Sequence, residues 1–95
     1  MQVTIKYRAH LAELTKMTNE PITHIVLKLP GQQHLPVSIK DVLRYIKSQY
    51  GIKACKLAKT MLIVVNGQSI LLLKHFKTVL KDGDEVSFFP ICGGG

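Results

Sequence analysis

Residues Leu80–Gly95 read LKDGDEVSFFPICGGG, and the way this stretch has to fold constrains the rest of the chain. Asp82-Gly83-Asp84 is a turn signal, because Asp side chains bond the nearby backbone and Gly takes a positive φ without steric cost. Val86 to Phe89 is a short apolar run of strand type, and Pro90, with no N–H to donate to a neighbour, ends it. Gly93 to Gly95 then close the sequence. Glycine runs at a terminus are commonly frayed tails. Here the run follows an apolar strand that must lie in a sheet, so the carboxylate of Gly95 is expected on a short leash from a rigid body. Without Cβ atoms these residues make the thinnest thread for a narrow channel, which makes Gly94 and Gly95 the first functional candidates.

A strand of this kind needs partners, and the chain supplies them on both sides. Met61 to Val65 is apolar and β-branched and runs into Asn66-Gly67, the strongest short hairpin signal, with Ser69 to Leu73 as the expected returning strand. At the other end, Gln2 to Arg8 alternates: Val3, Ile5 and Tyr7 share one face, and Thr4, Lys6 and Arg8 the other. Ile22 to Leu29 alternates as well, Ile25, Leu27 and Leu29 against His24, Val26 and Lys28, and Pro30-Gly31 stops it. Between these two strands, Ala9 to Leu14 fits one helical turn and Lys16 to Pro21 reads as a loop. Ser38, with Asp41 three positions on, opens a helix whose apolar stripe is Ile39, Val42, Leu43, Ile46 and Tyr50, and Gly51 stands where it should end. Ile52 to Lys59 carries three lysines among small apolar residues and reads as irregular or a partial turn. Lys74 to Val79 reads as a connecting turn.

The resulting order is strand, strand, helix, strand, short strand, strand. One helix whose stripe has to be covered must lie on one face of the sheet formed by the others. The predicted fold is therefore α+β, a β-grasp of the ubiquitin-like kind, with a mixed sheet of about five strands and one main helix packed on one face. The body spans residues 1–90 and a flexible glycine tail spans 91–95.

A chain of 95 residues is one small domain. It has room for one core and not for an enclosed catalytic cavity besides, which favours a carrier, adaptor or binding module. The opening MQVTIKYR has no apolar targeting region, and the apolar runs are too short to cross a bilayer, so a cytoplasmic protein is expected. Cys55 and Cys92 form neither a disulfide framework nor a metal-ligand pattern and are read as reduced thiols. Phosphate-loop, dinucleotide and zinc-protease motifs are lacking, and His10, His24, His34 and His75 are scattered singly and read as surface residues. Thirteen Lys plus Arg against six Asp plus Glu give a net charge of +7, which bears on partners and not on fold.

The DGDEV, FFP and diglycine elements of the closing stretch, at their mutual spacing, resemble the C-terminus of the MoaD family, the small sulfur-carrier subunit of molybdopterin synthase. The pattern of that family is L-x-D-G-D-E-V-x-F-F-P-P-x-x-G-G. The match is dense over the last stretch and looser elsewhere, through length, the Asn-Gly hairpin and the central helix. The resemblance implies that the first and last strands lie side by side and parallel in the centre of the sheet. It implies that a ubiquitin-activating-type enzyme adenylates Gly95 with ATP, that a sulfur donor protein replaces AMP to leave a thiocarboxylate, and that the sulfur passes to a pterin precursor in the large synthase subunit. This chain would then be carrier and co-substrate, with no cofactor of its own and the catalytic residues on its partner. The chain departs from the pattern in a third glycine, in Cys92 in the approach to the diglycine, in a connection from Asn66 to Asp82 a few residues longer than is typical, and in its strong basic charge.

In the last strand, Val86 and Phe88 are expected to face the helix, and Ser87 and Phe89 to face away. Phe89, Pro90, Ile91 and Gly93 are the candidate partner surface, with Lys6 and Arg8 as its polar rim; a Phe89 tucked under a loop is the competing reading. The tail also suits a ubiquitin-like modifier joined through Gly95 to lysines, or a sulfur carrier for tRNA thiolation or thiamin. A basic β-grasp module that binds RNA stands as an alternative of another class.

Overall fold

The computed structural model describes residues 1–91. Its strands are β1 (Gln2–Lys6), β2 (Asn19–Thr23), β3 (Leu62–Val65), β4 (Gln68–Ser69) and β5 (Glu85–Phe89), and its helices are α1 (Ala9–Thr15), the single turn α2 (His24–Leu27), α3 (Ile39–Tyr50) and α4 (Ile52–Thr60). One mixed sheet runs β2-β1-β5-β3-β4, so β5 holds the centre. It lies parallel to β1, with Ile5 opposite Val86, and antiparallel to β3, with Ile63 opposite Phe88. The β-grasp read from the sequence is the fold of the chain, with the first and last strands adjacent and parallel.

The Asp82-Gly83-Asp84 turn sets this central pairing. Gly83 has φ +85°, the Gln2 N–H donates to Asp82 Oδ1 at 2.8 Å, and the Gly83 N–H donates to the Gln2 carbonyl at 2.8 Å. Both acids serve the backbone: Asp84 Oδ2 accepts from the Lys81 N–H at 2.8 Å. On the far side, Asn66 (φ 51°) and Gly67 (φ +85°) have the two positive φ values of the tight hairpin turn expected for Asn-Gly. The Asn66 side chain also bridges to β5, donating to Asp84 Oδ1 at 2.8 Å and accepting from the Glu85 N–H at 2.9 Å.

Alternation along the strands separates core from surface. Val3, Ile5, Ile63, Val86 and Phe88 face the helices and are buried, together with Ile39, Val42, Leu43 and Ile46 of α3. Ser38 and Asp41 form the reciprocal capping box at the start of α3, and the Ser38 N–H donates to Asp41 Oδ2 at 2.8 Å.

Three local expectations are corrected. The second strand is Asn19–Thr23 and not Ile22–Leu29. β1 pairs over five residues and its partner ends at Thr23, after which one more bond, His24 N–H to the Met1 carbonyl at 2.9 Å, exhausts the ladder. With nothing left to pair, the chain coils into α2, and the apparent alternation breaks: Lys28 is drawn inward to Asp41 while Leu29 is exposed. Ile52 to Thr60 is a helix and not irregular chain, burying Ala54, Cys55 and Ala58. Gly51 (φ +95°) makes the junction, its N–H bonding the Lys47 carbonyl and its own carbonyl accepting from Cys55. The strand expected over Ser69 to Leu73 stops at Ser69, whose Oγ accepts from the Leu71 N–H at 3.2 Å and turns Ile70–Leu72 into a 3-10 turn.

Candidate functional site

β5 leaves the sheet at Phe89, whose last cross-strand partner is Leu62 of β3. Pro90 has no N–H with which to continue the ladder. Phe89 is half-buried on the sheet face turned away from the helices, and the Arg8 guanidinium lies over its ring, 5.3 Å from the centroid. Part of what covers Phe89 is thus a cation from the connection between β1 and α1. Lys6 lies on the same outward face, opposite Ser87, with Nζ 3.1 Å from Glu85 Oε1. Ile91 follows Pro90 and is 61% exposed.

Two grooves flank Ile91. One, of about 390 Å³, is lined by Ala9, His10, Leu57, Thr60, Met61 and Pro90. The other, of about 210 Å³, lies between Leu62, Ile70, Leu71, His75 and Phe76. The end of the central strand therefore sits in a mainly apolar setting, with a histidine on either side. The His10 ring is tied to Glu13 (Nδ1 to Oε2, 2.9 Å), and the His75 ring packs edge-on to Phe76, with centroids 4.2 Å apart. Sequence spacing gave no hint of this pair, because they are brought together by α1 and by the 3-10 turn at His75–Lys77, 65 positions apart in the chain.

The structure thus brings Lys6, Arg8, Phe89, Pro90 and Ile91 to one end of the sheet, the first three on its outward face and Pro90 and Ile91 beside grooves lined by helix residues. Cys92, Gly93, Gly94 and Gly95, the remaining residues of the expected tail and of its approach, lie outside the described residues. Among the described residues no group of His, Cys, Asp and Glu is arranged to hold a metal ion, and no helix is long and apolar enough to cross a membrane. Cys55 is a buried free thiol.

Two polar networks, neither foreseen as such from the sequence, fasten α3 to the chain around it. Glu20, on β2, receives three tyrosine hydroxyls: Tyr7 at 2.8 Å and Tyr50 at 2.7 Å on Oε1, and Tyr45 at 2.6 Å on Oε2. Burial, and then the Glu20 carboxylate, push all three phenols upward, Tyr50 to about 12. The edge strand is thereby locked to α3. In the second network Lys28 Nζ donates to Asp41 Oδ1 and Oδ2 at 3.3 and 3.2 Å and to the Pro36 carbonyl at 3.3 Å. Arg44 reaches Asp41 Oδ1 at 2.9 Å and also donates to the Leu27 carbonyl. Burial alone would raise the Asp41 carboxyl, but the Ser38 amide, Arg44 and Lys28 outweigh it and hold the group below its usual value.

A mixed sheet with its first and last strands adjacent and parallel, and helices packed on one face, defines a ubiquitin-like β-grasp domain. The chain belongs to the ThiS family, whose model matches residues 26–95. Among solved structures it is similar to small archaeal modifier protein 1 (SAMP1) of Methanosarcina acetivorans, at 25% identity and a TM-score of 0.73, over 99% of this chain and 96% of that one. A protein assigned as molybdopterin converting factor subunit 1 in Pyrococcus furiosus matches at 25% identity and a TM-score of 0.67, over 95% of this chain and 97% of that one. A structure of the complex of subunits 1 and 2 of the molybdopterin-converting factor of Helicobacter pylori matches at 22% identity and 0.61, over 100% of both chains, a likeness of fold. Comparison with curated proteins gives no significant match.

Proposed function

We propose that this chain is the sulfur-carrier subunit of a molybdopterin synthase, working through the carboxyl group of Gly95 in the cytoplasm. The observation that carries the reading is how β5 ends: Phe89 outward beneath Arg8, Pro90 closing the ladder, and Ile91 exposed between two apolar grooves, with only Cys92 between it and the glycines of the sequence. A carboxylate is a poor acyl electrophile because oxide is so poor a leaving group. Gly95 therefore requires a ubiquitin-activating-type enzyme that adenylates it with ATP, after which a sulfur donor protein displaces AMP and leaves the thiocarboxylate. The sulfur is then delivered to a pterin precursor in the large subunit, with Gly93 and Gly94 as the thread and Phe89, Pro90, Ile91, Lys6 and Arg8 as the contact surface. In this reading the chain holds no cofactor, and ATP belongs to the activating partner. The likeness to a subunit named for the molybdopterin converting factor supports this acceptor.

The ThiS family match and the likeness to a protein named as a modifier support a second reading in which the same activated Gly95 serves another acceptor: a protein lysine, a tRNA or thiamin. Intact mass after incubation with the activating enzyme, ATP and sulfur donor is expected to show one oxygen exchanged for sulfur. Reconstitution with the large subunit and the pterin precursor then separates the readings. Product formation that is lost on deleting Gly94 and Gly95 supports the first. A thiocarboxylated chain that yields no product with that subunit, or a deleted chain that still does, overturns it.

A further inference from the structure

The basic surplus of this chain is concentrated on its helices. α3, α4 and the His75–Lys77 turn carry Lys40, Arg44, Lys47, Lys53, Lys56, Lys59 and Lys77, and their one acid, Asp41, is already held by Lys28 and Arg44. Lys40, Lys47 and Lys59 are exposed and have no ion-pair partner among the described residues. They are not scattered over a solvated face. With Arg44 they rim a groove of about 400 Å³ whose floor is apolar, made of Leu43, Cys55 and Phe76.

The geometry selects among polyanions. Lys40, Leu43, Arg44 and Lys47 form one stripe of α3, rising about 10 Å, or two helical turns, so the groove matches a short segment. Single-stranded nucleic acid needs exposed aromatic faces for base stacking as well as cations for its phosphates. Tyr7, Tyr45 and Tyr50 are committed to Glu20, Phe88 is buried, and Phe89 lies beneath Arg8 on the outward sheet face. Phe76 remains, half-buried in the floor with His75 on its edge. An apolar floor inside a lysine rim complements apolar side chains flanked by carboxylates. Lys59 and Phe76 also line the smaller groove beside Ile91, so the two surfaces adjoin.

We propose that the groove between α3, α4 and Phe76 is a docking site for an acidic segment of a partner protein, an amphipathic helix that sets apolar side chains on Leu43 and Phe76 and carboxylates against Lys40, Lys47 and Lys59. It lies beside the tail-bearing end, so one protein can hold this segment site while the chain's last residues are engaged.

The test selects a displayed library of random peptides, about four helical turns long, on the full chain, with Lys40→Glu/Lys47→Glu/Lys59→Glu as counter-target. All three side chains are exposed, and circular dichroism verifies that the variant is folded. Recovered peptides are expected to be acidic with apolar residues at i, i+3 and i+4, and to bind the parent about tenfold or more tightly than the triple variant. Added salt should weaken them. They should shift the amide resonances of Leu43, Cys55 and Phe76, and bind a chain lacking Gly94 and Gly95 equally well, which separates this site from the sulfur-carrier reading. Recovery of no such peptides, binding to the triple variant within about twofold of the parent, or tighter occupation of the same resonances by poly(U) RNA overturns the proposal.

Discussion

The guanidinium carbon of Arg8 sits 5.3 Å from the centroid of the Phe89 ring, so the last outward aromatic of the central strand is roofed by a cation from the segment that follows the neighbouring parallel strand at the same end of the sheet. An exposed contact of this kind contributes about 0.5–1 kcal/mol. Arg8→Ala is therefore expected to lower stability by no more than about 1 kcal/mol in chemical denaturation. Phe89→Ala should weaken binding to the large subunit or the activating enzyme by about 1–3 kcal/mol, the range of a partly desolvated anchor, as read by calorimetry. Unchanged affinity in Phe89→Ala would remove this end of β5 from the contact surface.

The three phenols that converge on Glu20 predict an alkaline limit to stability. Tyr50 is pushed from 10.0 to about 12 in the folded chain, so at intermediate pH the unfolded chain has released protons that the native one keeps. The contribution is complete below pH 10 and is lost as the pH rises toward 12. Phenolate absorbance should therefore develop late in the native protein and early in denaturant. Glu20→Gln should bring the titration down and cost about 1–3 kcal/mol, toward the lower end because the carboxylate is only half-buried. Normal early titration of all three tyrosines in the native protein would contradict the network.

Asp41 has the opposite sign. Its carboxyl is held below the usual 3.8, so its contribution is present above that value and is lost as the pH falls through the folded pKa. Asp41→Asn should flatten the acid limb of the stability curve. It should also cost several kcal/mol at neutral pH, about 3–5 as for a broken buried pair, because it strands Lys28, whose side chain is 7% exposed. Lys28→Met, which removes the stranded charge and leaves Asp41 its bonds from Ser38 and Arg44, should cost less. An order of stability with Lys28→Met below Asp41→Asn would refute this account.

Gly51 separates backbone strain from crowding. A Cβ at this position would meet nothing within 4 Å, yet φ is +95° and ψ 171°, a region that belongs essentially to glycine. Gly51→Ala is expected to cost about 1–3 kcal/mol in urea denaturation, with the α3–α4 junction the first region to lose amide protection. A neutral substitution would mean that the junction relaxes freely.

Features coded within a few residues of one another are legible in the sequence itself. The capping box at Ser38 and Asp41, the Asn66-Gly67 turn, the alternation of Val3, Ile5 and Tyr7 and the parity of Val86 and Phe88 each depend on backbone angles or side-chain direction at neighbouring positions, and together they are enough for the β-grasp. The assignment of Phe89, Pro90, Ile91, Lys6 and Arg8 to one end of the molecule follows once β1 and β5 are placed side by side. What stays hidden depends on partners distant in the chain. Glu20 reads as a loop residue until Tyr7, Tyr45 and Tyr50, between 13 and 30 positions away, close around it in a β2 that begins three residues earlier than its apolar pattern suggests. Ala54, Cys55 and Ala58 read as weak structure until α3 gives them a surface to bury against, and His10 and His75 are unrelated until the end of β5 stands between them. Local steric and capping preferences act through adjacent atoms and so are written in the order of residues. Burial and charge pairing are settled by which surfaces meet, and that is known only when the chain has folded.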